Sequence, residues 1–105
     1  MQRQLRFTDE ADRQLKELEA SPAQNGLLKQ VQKTLGLLET NVRHPGLHTH
    51  EYQSLRGSKG ERVWEAYAQN QIPGAYRVFF HYGPDEVAGR KRRPVLTVIA
   101  ITPHP

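Results

Sequence analysis

Arginine, phenylalanine and histidine recur at alternate positions in the segment Tyr76-Arg77-Val78-Phe79-Phe80-His81-Tyr82. Alternate side chains of an extended strand share a face, so Arg77, Phe79 and His81 form one row. Tyr76, Val78, Phe80 and Tyr82 form the other, suited to packing on helices, which would open the first row onto a concave surface. The planar fork of an arginine grips two phosphate oxygens at once. Histidine, with an unperturbed pKa of ~6.5, moves protons near neutral pH. An exposed phenylalanine can stack on an unstacked base, worth ~1–3 kcal/mol. The structural alternative has Phe79 covering the sheet and Arg77 paired with a surface acid. An arginine amid a hydrophobic strand is seldom there for packing, which puts a functional role ahead.

The charge pattern points the same way. The densest cluster is Arg90-Lys91-Arg92-Arg93, which on a hairpin loop could clamp an RNA backbone, with Arg56, Lys59 and Arg62 extending the patch. Its contribution would fade as salt rises; the alternative is a solvated loop. Net charge is +4 with neutral histidines and the pI is about 9.7, a balance common in domains that bind polyanions. Five histidines, His44, His48, His50, His81 and His104, raise the question of a metal. Metal sites show tighter spacing with carboxylates or cysteine, so no metal is expected, and His48 and His50 read as surface or RNA-facing residues. There is no cysteine, glycine-rich phosphate loop or serine nucleophile elbow, so no cofactor is expected.

The elements that must hold these groups are legible in outline. A chain of 105 residues suits one domain over 1–105. Leu5 and Phe7 alternate with polar residues in a short strand over about 2–7. Thr8 can cap a helix whose first turn carries Asp9, Glu10 and Asp12, and whose apolar face holds Ala11, Leu15 and Leu18. Leu27, Leu28, Val31, Leu35 and Leu38 stripe a second helix that stops by His44-Pro45-Gly46. Residues 47–61 read as irregular, 62–69 as a strand, 76–82 as the strongest strand, 83–94 as a long turn, and 95–102 as an apolar strand. The order is β-α-α-β-β-β. The fold class is α+β, a helical hairpin packed on one face of a small, mainly antiparallel curved sheet whose other face is open. A polar N-terminus and the lack of an apolar span predict a cytoplasmic protein with no membrane contact.

This order, together with Gly74-Ala75-Tyr76-Arg77-Val78-Phe79-Phe80 and Leu55-Arg56-Gly57, resembles the RelE/ParE toxin superfamily. The resemblance implies a toxin held by a cognate antitoxin. RelE-like members cut messenger RNA on the ribosome without metal; ParE-like members act on DNA gyrase. Arg77 matches the arginine that faces the scissile phosphate in the nucleolytic members. His104 lies where several place a histidine or tyrosine acting on the leaving group. Glu51 lies close to where some keep a glutamate base.

Metal-free RNA cleavage needs a base for the 2′-hydroxyl, a cation for the phosphorane and an acid for the departing 5′-oxygen. The expected set is Arg77 as cation, His104 or His81 as acid, and Glu51 or a nearby histidine as base. The competing expectation is a non-catalytic binding module on the same scaffold, either a ParE-like gyrase inhibitor or a toxin relic bound by an antitoxin. Arg77 would then make an ion pair.

Overall fold

In the computed structural model, which describes residues 2–104, strand β1 (Gln4–Phe7) leads into helix α1 (Asp9–Glu19), and a short 3-10 turn connects it to helix α2 (Asn25–Thr40). Thr8 caps α1 as its pattern predicts, its side-chain oxygen accepting from the Ala11 N–H, while Asp9, Glu10 and Asp12 occupy the positive end of the helix. Val31, Leu35 and Leu38 of α2 are buried with Ala11 and Leu18 of α1 in one apolar cluster. Among the described residues no helix is long and apolar enough to cross a membrane.

The remaining chain forms β2 (His50–Arg56), β3 (Arg62–Tyr67), β4 (Tyr76–Tyr82), β5 (Glu86–Ala88), β6 (Lys91–Arg93) and β7 (Val95–Pro103). The main sheet has the order β1-β7-β4-β3-β2, with β1 parallel to β7 and the other neighbours antiparallel. The architecture is thus the expected α+β arrangement, two helices on one face of a mainly antiparallel sheet. Val78 and Phe80 of β4, Ala66 of β3, and Leu96, Val98 and Ile101 of β7 meet the helices there.

Two strand regions depart from expectation. The segment read as irregular contains β2, an edge strand that pairs on one side only and breaks register between Glu51 and Arg56. Its residues are mostly exposed, so HEYQSLR carries no apolar alternation to reveal it. The long turn over 83–94 holds the β5–β6 hairpin, whose basic β6 is exposed throughout and buries no face.

The expectation of an open second face is also corrected. Phe79 and His81 do share the Arg77 row, but Phe79 is 1% exposed and His81 5%. Tyr52 of β2 lies edge-on to the Phe79 ring at 5.0 Å, and Glu61 reaches His81, with Oε2 3.9 Å from Nε2. The β2 edge and the 57–61 turn therefore cover this row, and Arg77 at its other end is buried as well.

Candidate catalytic site

Register brings the site together. Glu65 of β3 lies opposite both His50 of β2 and Phe79 of β4, and Tyr67 lies opposite Arg77. Partners directly across a sheet point to the same face, so one arginine, one carboxylate, one imidazole and one phenol meet on the side away from the helices.

Glu65 is the centre. Its side chain is 1% exposed, and its two oxygens serve different partners. Oε1 lies 3.1 Å from His50 Nε2 and 3.6 Å from Arg77 Nε; Oε2 lies 2.8 Å from His104 Nδ1. A buried carboxylate is tolerated only where cations or donors compensate its lost hydration, and these three groups supply that.

Arg77 is 8% exposed. Its guanidinium carbon stands 3.6 Å from the centroid of the Tyr67 ring, a stacking of the cation–π kind. Nη1 donates to the Gln69 carbonyl at 2.6 Å and more weakly to the Tyr76 carbonyl at 3.3 Å. Nε is buried and has no hydrogen-bond partner among the described residues. Stacking and the Gln69 bond fix the plane of the fork.

His104 is held by its backbone as well as its ring, since its N–H donates to the Ala75 carbonyl at 2.9 Å. Its side chain is 45% exposed. With Nδ1–H donating to Glu65, Nε2 carries the lone pair and faces outward, a carboxylate-oriented imidazole able to take or deliver a proton. His50 differs. Its Nε2 faces Glu65 while its Nδ1 lies 2.8 Å from the His48 carbonyl, so both ring nitrogens meet acceptors. Aromatic rings border the cluster: His48 at 4.9 Å from Tyr67, and Tyr52 at 6.1 Å from His104.

Of the residues singled out in the sequence, Arg77 and His104 meet here. Glu51 does not. It lies opposite Trp64, on the side of β2 away from Glu65, and its Oε2 is 3.7 Å from Arg56 and 3.9 Å from Arg62. The carboxylate beside Arg77 is Glu65. His81 is kept apart, buried against Glu61, and Phe79 is roofed by Tyr52. Arg56, Lys59 and Arg62 lie at the β2–β3 turn, and Arg90, Lys91, Arg92 and Arg93 on the β5–β6 hairpin, all exposed. These basic groups occupy the opposite end of the sheet from Arg77, because Arg77 starts β4 and the hairpin follows its end. Sequence reasoning missed Glu65, Tyr67 and Tyr52, and reached His50 only as a surface or RNA-facing residue. The available signal was Glu65 itself, an acid within the mostly apolar strand RVWEAY, as telling as the arginine of the next strand.

A solved structure of a YoeB/ParE toxin from Agrobacterium tumefaciens superposes on 97% of this chain and 99% of its own, with a TM-score of 0.64 and 12% sequence identity. The fold is RelE/ParE-like. No family profile and no curated protein matches the sequence. The RelE/ParE-like scaffold accounts for the placement of the cluster: β4 runs through the sheet interior between β3 and β7, so its first residues meet partners from both sides.

Proposed function

We propose that the chain is a toxin of a toxin–antitoxin pair that cleaves messenger RNA at the ribosome without a metal or cofactor. One observation carries the reading: a buried carboxylate, Glu65, orients the half-exposed imidazole of His104 beside a stacked arginine. The likeness to a solved YoeB/ParE toxin supports the toxin part of it.

In this reading the 2′-oxygen attacks phosphorus, the 5′-oxygen departs, and the products are a 2′,3′-cyclic phosphate and a 5′-hydroxyl. Arg77 stabilises the charge of the phosphorane, the role its planar, permanently charged fork fits. His104, protonated at Nε2, delivers a proton to the departing 5′-oxygen. His50, the other imidazole on the same carboxylate, acts in its neutral form: Nε2–H stays on Glu65, the unprotonated Nδ1 turns away from the His48 carbonyl, and it takes the 2′-hydroxyl proton. The partners are messenger RNA, the ribosome and a cognate antitoxin, in the cytoplasm.

A second reading has its own support. Arg77 is 8% exposed and spends Nη1 on the Gln69 carbonyl, as a structural arginine would. That favours a non-catalytic binding module, a ParE-like gyrase inhibitor or an antitoxin-bound relic. Induced expression in bacteria separates the two, comparing wild type with His104→Gln and mapping messenger ends by primer extension. Growth arrest with new cuts in translated messages, both lost in the variant, is the expected result. Arrest without cuts overturns the ribonuclease reading in favour of the binding module, and so does absence of any effect from soluble protein.

A further inference from the structure

A second basic site lies at the far end of β4, on the helix side of the sheet. Arg3 precedes β1 and donates its backbone N–H to the Glu39 carbonyl near the end of α2 at 2.8 Å. Arg43 follows α2, Tyr82 ends β4, and Arg92 lies on β6. All four line one open cleft of about 510 Å³ with Val42 and Asp85. Five residues of strand separate Tyr82 from Arg77, about 17 Å at 3.3 Å per residue, and the two side chains point to opposite faces.

The cleft carries more cation than its acids absorb. Asp85 lies 3.7 Å from Arg92 through Oδ2, but its other oxygen accepts the Val95 backbone N–H at 3.0 Å. Among the described residues neither Arg3 nor Arg43 has a carboxylate within ion-pair distance; Glu39 borders the adjacent groove. The Arg3 guanidinium carbon stands 4.9 Å from the centroid of the Tyr82 ring, and Tyr82 is 39% exposed. Stacking holds the plane of a guanidinium and leaves its in-plane N–H groups free to donate, the arrangement suited to phosphate oxygens.

We propose that this cleft is a second nucleic-acid contact, seating phosphates of a single-stranded RNA on Arg3, Arg43 and Arg92, apart from the Glu65 cluster. The choice of RNA rests on the ribonuclease reading above. The lining argues against an acidic protein segment. Such a segment is normally anchored by apolar side chains as well as charge, and here only Val42 and the Tyr82 ring could receive them.

The test uses the intact protein and a fluorescein-labelled 2′-O-methyl RNA dodecamer, which cannot be cleaved through its 2′-oxygen, read by fluorescence anisotropy across a salt series. Arg3→Ala/Arg43→Ala is expected to weaken binding at least tenfold. It should also flatten the plot of log affinity against log salt by about 1.4, two phosphate contacts at about 0.7 each. Lys29→Ala/Lys33→Ala removes the same charge from the exposed side of α2 and is expected to stay within twofold of wild type. Arg43→Glu, a single change on an exposed turn, gives the same loss without touching the Arg3–Tyr82 stack. Equal weakening by the two double variants overturns the proposal, since binding would then follow net charge alone. Unchanged affinity in both Arg3→Ala/Arg43→Ala and Arg43→Glu overturns it too. Displacement of the RNA by poly-glutamate as readily as by unlabelled RNA would instead assign the cleft to an acidic protein. Because the probe is uncleavable, absence of cuts by the wild type, which overturns the ribonuclease reading, leaves this binding result standing, and a failed binding test leaves the cleavage result standing.

Discussion

The Nδ1 of His104 lies 2.8 Å from Oε2 of Glu65, a carboxylate 1% exposed, while the histidine ring itself is 45% exposed. One partner is rigid and dry, the other reaches solvent. The sheet thus holds an imidazole at its rim, with the buried anion fixing tautomer and direction and the other ring edge left free.

Replacing His104 with Gln is therefore expected to remove chemistry and leave the fold. Cleavage should fall by about 10²–10⁴, the usual worth of a positioned acid or base. Thermal unfolding followed by circular dichroism should move little, because the side chain is half exposed. A large drop in melting temperature would assign the His104–Glu65 contact to stability.

Glu65→Gln is expected to lower both activity and stability. Removing one member of a buried charged pair typically costs about 3–5 kcal/mol, because the buried partner is left uncompensated; of the three groups on Glu65 only Arg77 is buried, the two histidines being half exposed. Arg77, 3.6 Å away and 8% exposed, would be left facing a neutral amide. Denaturant unfolding measures the cost, and the pH profile of residual cleavage should change shape as His104 loses its anion. An unchanged profile would remove Glu65 from the proton path.

Phe79→Ala is expected to act on the core and to leave RNA affinity to the surviving protein unchanged. The ring is 1% exposed beneath Tyr52, and truncating a buried phenylalanine costs about 3–5 kcal/mol. Tyr52→Ala, at a half-buried ring, should cost less stability. A loss of RNA affinity from folded Phe79→Ala would show that the roof opens to admit a base.

Acid stability should depend in part on Glu61. Its carboxyl is held below the usual glutamate range, first by its own backbone N–H and then by that of Lys59, which donates to Oε1 at 2.9 Å. A carboxyl depressed in the folded state stabilises fully above its ordinary pKa, about 4.3, and the contribution disappears as pH falls through the lower folded value. Wild type is thus expected to exceed Glu61→Gln in stability at pH 7, with the gap closing below about pH 4. A gap that is constant with pH would mean the difference comes from shape alone.

How much could be read in advance follows from what each segment buries. The α1 and α2 stripes and the apolar run of β7 were legible because each buries a continuous face, and burial writes a period into the sequence. β2 and the β5–β6 hairpin were not, since an exposed edge strand and a basic hairpin satisfy backbone hydrogen bonds without any apolar pattern. Arg77 was conspicuous for the opposite reason, a permanent charge in a hydrophobic strand.

The sequence by itself determined the α+β class, the order of both helices and of strands β1, β3, β4 and β7, the basic surface and Arg77 as the residue to watch. Only the tertiary structure decided which acid stands beside it. Glu51 and Glu65 are both carboxylates in the same half of the chain, and they fall on opposite faces because His50, not Glu51, is paired with Glu65. A shift of one residue in strand register moves every side chain to the other side of the sheet, and register is set by cross-strand packing that no local pattern in β2 encodes. The same holds for Phe79 and His81. Their row was readable from alternation, but the cover over it comes from Tyr52 and Glu61, residues distant in sequence and brought in by the pairing of β2 with β3 and the turn between them.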